Sequence, residues 1–122
     1  MNILLVDDHP DYLDLIGEVL KKDLAAHVVT ASSAAQAIAF LTDGRRFDMV
    51  ICDYQMPNGT GLDVFEHMKR SKIETPFVLC TNMDIASLPK FDGPGFLGIV
   101  QKTQAHRVCE HLLELTAKEK KK

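Results

Sequence analysis

Five short runs of mostly branched apolar residues constrain the fold of this chain more than anything else in it. They are Ile3-Leu4-Leu5-Val6, Val28-Val29, Met49-Val50-Ile51-Cys52, Phe77-Val78-Leu79-Cys80 and the stretch from Phe96 to Val100. The runs are apolar at consecutive positions rather than alternate ones, which is the pattern of strands covered on both faces. Stretches of helical spacing separate them, so the order reads strand, helix, strand, helix throughout. That alternation predicts an α/β fold with a parallel sheet between two helical layers.

The helical stretches carry their own signals. Tyr12, Leu13, Ile16, Val19 and Leu20 form one apolar stripe behind Pro10, which suits a first helical position because its missing N–H has no partner there anyway. Ser33 with Gln36 reads as a capping box ahead of Ile38, Phe40 and Leu41, and Gly44 supplies a stop. Leu62, Phe65 and Met68 stripe a third helix ending in Lys69 and Arg70, cations that suit the negative end of a helix dipole. Ala105, Val108, Leu112 and Leu115 stripe the last helix. Between the fourth and fifth strands, Ile85 to Leu88 can begin a helix, but Pro89 and Gly93-Pro94-Gly95 break it. A short or irregular fourth helix is expected.

Length and charge exclude several classes. A chain of 122 residues, 46% hydrophobic and 25% charged, is expected to form one domain over 1–122, burying roughly two thirds of its unfolded surface. The net charge of −3 gives no footprint for nucleic acid, and the basic tail at about 118–122 reads as a solvated helix end. No apolar run is long enough for a membrane span, and no basic leader precedes Ile3. Cys52, Cys80 and Cys109 lack metal-type spacing and read as free thiols, which fits a reducing cytoplasm.

In an open parallel sheet, ligands bind where strands end at their carboxyl edges. Asp7 and Asp8 follow the first strand, Asp53 the third, Thr81 the fourth and Lys102 the fifth, so all five fall on one edge. Taken singly, each has an ordinary reading: a helix cap before Pro10, a turn opener before Met56-Pro57, a strand end, a solvated lysine. Jointly they are complementary. Three carboxylates gathered at one edge repel each other unless a hard divalent cation cancels their charge, and Mg²⁺, or Mn²⁺ in its place, takes such an oxygen set together with a phosphoryl oxygen. Asp53 is then an adequate nucleophile for a phosphoryl group held in line, with Lys102 and the Thr81 hydroxyl suited to hold the transferred oxygens.

The acidic pair after the first strand, the block Asp53-Tyr54-Gln55-Met56-Pro57-Asn58-Gly59-Thr60-Gly61-Leu62 after the third, Thr81 and Lys102 together resemble the response regulator receiver family over nearly the whole chain. The resemblance implies a flavodoxin-like doubly wound sheet of five strands in the order 2-1-3-4-5. It implies a bacterial-type two-component or phosphorelay protein of the cytoplasm whose Asp53 accepts a phosphoryl group from a histidine kinase or histidine phosphotransfer protein. Slow self-catalysed hydrolysis follows, without turnover of an outside substrate. By the same carry-over, Asp8 and Asp53 ligate Mg²⁺ directly, Gln55 ligates through its main-chain oxygen, and Asp7 acts through water. Gln55 and Met83 then flank the phosphoryl group and tune its lifetime.

Two positions depart from the family pattern. Ile99 stands where the family usually carries an inward-turning aromatic side chain, and Thr103 follows the lysine where proline is usual. These departures keep open a phosphorylation-independent interaction module of the same fold. A metal-dependent phosphohydrolase is disfavoured because Gln55 occupies the place of its second aspartate. The apolar stretch 83–98 and the last helix are the expected surface for a downstream protein or a second copy. His106, Cys109 and His111 are spaced around a helix rather than along one face, and read as solvated; His9 sits beside the acidic pair.

Overall fold

The structure is a computed structural model that describes residues 1–102 together with Glu110, Leu112 and Glu114. Most of the last predicted helix, Thr103, His106, Cys109, His111 and the basic tail lie outside the described residues. Strand β1 (Asn2–Val6) leads into α1 (Pro10–Leu24), β2 (His27–Ala31), α2 (Ala34–Thr42) and β3 (Met49–Cys52). A hairpin of two short strands, β4 (Gln55–Met56) and β5 (Gly59–Thr60), precedes α3 (Gly61–Arg70). Strand β6 (Phe77–Thr81), a single 3₁₀ turn (Ile85–Ser87) and β7 (Phe96–Gln101) follow.

The sheet runs β2-β1-β3-β6-β7 with every pairing parallel. With the small hairpin set aside, this is the expected order 2-1-3-4-5 of a flavodoxin-like sheet. Side chains alternate between two cores, as strand geometry requires. Leu4, Val6, Val50, Cys52, Phe77 and Leu79 meet α2 and α3 on one face, while Ile3, Leu5, Met49, Ile51, Val78 and Cys80 meet Ile16 and Leu20 of α1 and Leu112 on the other. Leu112 therefore falls in the core, as its place in the predicted apolar stripe requires.

Local chemistry accounts for most boundaries, with one correction. Pro10 occupies the first turn of α1. Ser33 caps α2 by accepting the Gln36 N–H at 3.1 Å, yet Gln36 Oε1 accepts from the N–H of Ser32 at 2.7 Å, so the expected box closes one residue early. The complete capping box belongs to α3, between Thr60 and Asp63. Asp63 is shorter than the usual Glu or Gln partner, which hides the motif in the sequence.

The fourth helix is reduced to the 3₁₀ turn. Phe91 fills the space beside the sheet instead, stacked on Phe96 with ring centroids 5.1 Å apart and packed on Phe65 and Phe77 at 5.6 and 6.0 Å. Lys69 holds this segment down by donating to the Asp92 carbonyl at 2.5 Å. In β7, Gly98 rather than Leu97 pairs with Val78, a one-residue bulge of the kind glycine permits. The bulge sets Gln101 opposite Thr81 and so delivers Lys102 to the same edge as the acidic residues.

Candidate functional site

The backbone ladder carries the acidic residues just past the strand ends. Asp7 donates its N–H to the Ala31 carbonyl at 3.0 Å, and Asp53 donates to the Val6 carbonyl at 2.9 Å, so both side chains start from sheet-like geometry. The tight return after Asp53 explains two glycines. A Cβ on Gly61 would sit 2.6 Å from the Asp53 carbonyl oxygen, and one on Gly59 would sit 2.8 Å from the Ala34 Cβ. Pro57-Asn58 turns the hairpin, with Asn58 at φ 60° as type II turns require of their third residue.

Lys102 joins two of the carboxylates. Its Nζ donates to Asp53 Oδ2 at 2.9 Å and pairs with Asp7 Oδ2 at 2.5 Å, with all three side chains nearly excluded from solvent. Burial pushes the Asp53 carboxyl up, the Lys102 ammonium opposes this, and Asp7 adds to the rise, leaving Asp53 above its ordinary value. Burial alone would lower Lys102, but its bonds to Asp7 and Asp53 reverse that, and the net shift is upward. Lys102 is therefore charged at neutral pH. The second Asp53 oxygen accepts the Tyr54 N–H at 2.7 Å.

Asp8 lies beside this group with a different problem. Its Oδ1 is buried without a hydrogen-bond partner; His9 Nδ1 lies 3.2 Å away, outside hydrogen-bond geometry. An ionised oxygen buried in this way is costly unless a cation meets it. Asp7, Asp8, His9 and Asp53 each offer a donor atom within 4.8 Å of the others. A hard, oxygen-rich set of this size fits an Mg²⁺-class ion.

A cleft of about 820 Å³ opens over these residues. Asp8, Asp53, Gln55, Thr81, Met83 and Lys102 line it, while Asp7 lies buried beneath. Thr81 is buried at the end of β6, with Oγ1 accepting the Met83 N–H at 3.1 Å; Gln55 is exposed in β4. Asp7, Asp8, Asp53, Gln55, Thr81 and Lys102, with Met83, thus reach one edge. In the sequence Tyr12 reads only as part of an apolar stripe, yet Lys102 Nζ lies 4.6 Å over its ring and its hydroxyl meets Cys80 Sγ at 3.0 Å. Its polar tip at the start of α1, one helical turn past Asp8, was the available sequence signal.

The family description "response regulator receiver domain" matches residues 3–114. The chain belongs to the response regulator receiver family. Among proteins similar to this receiver is response regulator SaeR of Staphylococcus aureus (strain USA300), 31% identical over 80 residues, which are 66% of this chain and 34% of that protein. The aligned part thus spans about a third of that relative. Response regulator TrrA of Thermotoga maritima, solved in complex with Mg²⁺ and BeF, is 26% identical with a TM-score of 0.79 over 93% of this receiver and 97% of that chain. A CheY-like receiver from Methanospirillum hungatei superposes with a TM-score of 0.83 at 21% identity, over 99% and 98% of the two chains. The receiver is thus a two-component signalling domain of flavodoxin-like fold. Among the described residues, no helix is long and apolar enough to cross a membrane.

Ile99 is half-buried against the α2–α3 core, so the aliphatic side chain at this position already points inward. The partner surface expected over 83–98 is divided by the structure. Phe91 and Phe96 are taken up by the aromatic packing, whereas Ile85 stays 55% exposed.

Proposed function

We propose that this receiver is a phosphorylation switch in which Asp53 accepts a phosphoryl group from phosphohistidine on a histidine kinase or histidine phosphotransfer protein. The observation that carries the reading is the buried Asp7–Lys102–Asp53 group beside the partnerless Asp8 oxygen. A fold that needed only stability would gain little from three carboxylates and one ammonium gathered there. TrrA, solved with Mg²⁺ and BeF, offers a relative whose ligands match this charge pattern.

Asp8, Asp53 and the main-chain oxygen of Gln55 would hold Mg²⁺, or Mn²⁺ in its place, with Asp7 acting through water. When bound, the ion cancels the carboxylate charge and draws phosphoryl oxygens to the edge. Asp53 attacks phosphorus as the carboxylate, forming an O–P bond while the P–N bond of the donor breaks and its electron pair stays on the imidazole, which leaves neutral because its other ring nitrogen already carries a proton. Lys102 holds one transferred oxygen by charge, and the Thr81 hydroxyl holds another by a hydrogen bond. Thr81 reaches the next loop through the Met83 N–H, which gives the phosphoryl group a route to Ile85 and the rest of 83–98. That segment, with the last helix, is the proposed surface for a downstream protein or a second copy. The domain turns over no outside substrate in this scheme and needs neither nucleic acid nor membrane.

Incubation with Mg²⁺ and a small phosphodonor should add one phosphoryl group to the intact mass of the wild type and none to Asp53→Asn. Stable modification of Asp53→Asn would overturn the acceptor assignment. No modification of the wild type would favour the phosphorylation-independent module, which Ile99, Thr103 and the disrupted fourth helix motivate. With beryllofluoride as phosphate mimic, amide NMR shifts should extend from Asp53 through Asn82 to Leu97. Shifts that stop at the acceptor edge would refute the proposed route.

A further inference from the structure

The main chain of His9 starts α1, accepting the Leu13 N–H at 3.0 Å, but neither the helix nor the phosphoryl chemistry makes use of its ring. It occupies the N-cap position of α1, where a side chain usually accepts an open N–H of the first turn, yet its ring makes no such bond. It turns back to the acidic pair instead. The His9 N–H donates to Asp7 Oδ1 at 2.9 Å, its Nδ1 lies 3.0 Å from the same oxygen, and Nδ1 is 3.2 Å from the partnerless Asp8 Oδ1. The donor atoms of Asp7, Asp8, His9 and Asp53 fall within 4.8 Å of one another. Donors on opposite sides of a small divalent ion, with bonds of about 2.1 Å, stand about 4.2 Å apart, so this set needs to close by only tenths of an ångström. The His9 side chain is 66% exposed and can make that adjustment without disturbing the core.

We propose that His9 ligates the cation through Nδ1 and makes this site favour a borderline transition ion, such as Co²⁺ or Zn²⁺, over Mg²⁺. The inference rests on the cation site described under the proposed function. Imidazole nitrogen suits the later divalent transition ions, whereas Mg²⁺ prefers oxygen and gives up its water reluctantly. Ligation needs the lone pair on Nδ1, so the neutral ring carries its hydrogen on Nε2. Exchanging Asp7 for the cation therefore requires a change of tautomer and a small rotation of the ring.

Tyrosine fluorescence supplies a local probe, because the chain has no tryptophan and only two tyrosines, Tyr12 and Tyr54. Tyr54 follows the acceptor residue, and the Tyr12 ring lies under Lys102. Co²⁺ and Mg²⁺ are titrated separately, at one fixed pH, into wild type, His9→Asn and Asp8→Ala. Asparagine is a preferred N-cap, so His9→Asn keeps α1 intact and a folding defect does not imitate the result. The expected outcome is a loss of about tenfold or more in Co²⁺ affinity for His9→Asn with Mg²⁺ affinity unchanged. A contact-shifted imidazole proton resonance should accompany it in the wild-type Co²⁺ complex and vanish in His9→Asn. Equal Co²⁺ affinity in wild type and His9→Asn, with Mg²⁺ binding intact, overturns the His9 assignment alone. Failure of both ions to bind wild type, or indifference to Asp8→Ala, overturns the cation site and this inference with it.

Discussion

Removing the positive charge of Lys102 isolates the electrostatics of the site from its chemistry. Lys102→Met keeps the length and most of the apolar stem but leaves Asp7 and Asp53, with side chains only 2% and 7% exposed, facing each other without a counter-ion. Breaking a buried ion pair from one side costs about 3–5 kcal/mol, here partly relieved if one carboxylate takes up a proton. A loss of about 3 kcal/mol corresponds to a fall in Tm on the order of 10 °C for a domain of this size. The pH dependence has a definite sign. Asp53 already lies above the carboxyl reference of 3.8, so its contribution to stability is full below that value and lost as pH rises through the folded pKa. Without Lys102 the loss is larger, and the mutant should approach wild type as the solution is acidified. A divalent cation stabilises both proteins, by about 2.7 kcal/mol at a concentration of 100 times Kd, and should stabilise the mutant more, because its carboxylates lack a counter-ion and bind the cation more tightly. Urea denaturation in EDTA and in Mg²⁺, at several pH values, measures all three effects. A penalty under about 1 kcal/mol in EDTA at neutral pH, or one equally large with and without Mg²⁺, would refute the reasoning.

Phe91→Ala empties the place of the missing fourth helix and should cost about 3 kcal/mol, since the ring packs on Phe65, Phe77 and Phe96; a change under about 1 kcal/mol by chemical denaturation would show that the segment does not support the core. Burial pushes the Cys80 thiol up to about 11 and holds Cys52 well above its usual range, so both are neutral at pH 8. Iodoacetamide followed by peptide mapping should leave Cys52 and Cys80 unmodified in the native protein and label them in urea. Rapid native labelling of either would contradict the burial.

Much of this architecture is written into local patterns. Short, branched-rich runs of consecutive apolar residues such as Met49-Val50-Ile51-Cys52 and Phe77-Val78-Leu79-Cys80 fit strands buried on both faces, and Pro10 and Ser33 mark helix starts. Because a parallel sheet collects its strand ends at one edge, Asp7, Asp8, Asp53, Thr81 and Lys102 were legible as a group before any distance was known. The short hairpin around Pro57-Asn58 and the Thr60–Asp63 box leave no clear signal in the sequence. Two-residue strands carry no periodicity, and Asp63 completes a box that longer side chains usually close.

What only the tertiary structure decided concerns which side chains meet. The Leu97 bulge that brings Lys102 to the carboxylates depends on how β7 pairs with β6, and no residue in β7 specifies that register alone. Phe91 replaces a helix because Phe65 and Phe77, distant in sequence, together with Phe96 leave a ring-sized space beside the sheet. His9 turns from its helix to Asp7 because the capping role and the acidic pair compete for one ring, and Asp7 and Asp8 lie 3.0 and 3.2 Å from it. Sequence spacing determines which face or edge a residue occupies, since that follows from the local period of the backbone. Contacts between elements follow from packing and burial over long sequence separations, and those emerge only when the whole chain has folded.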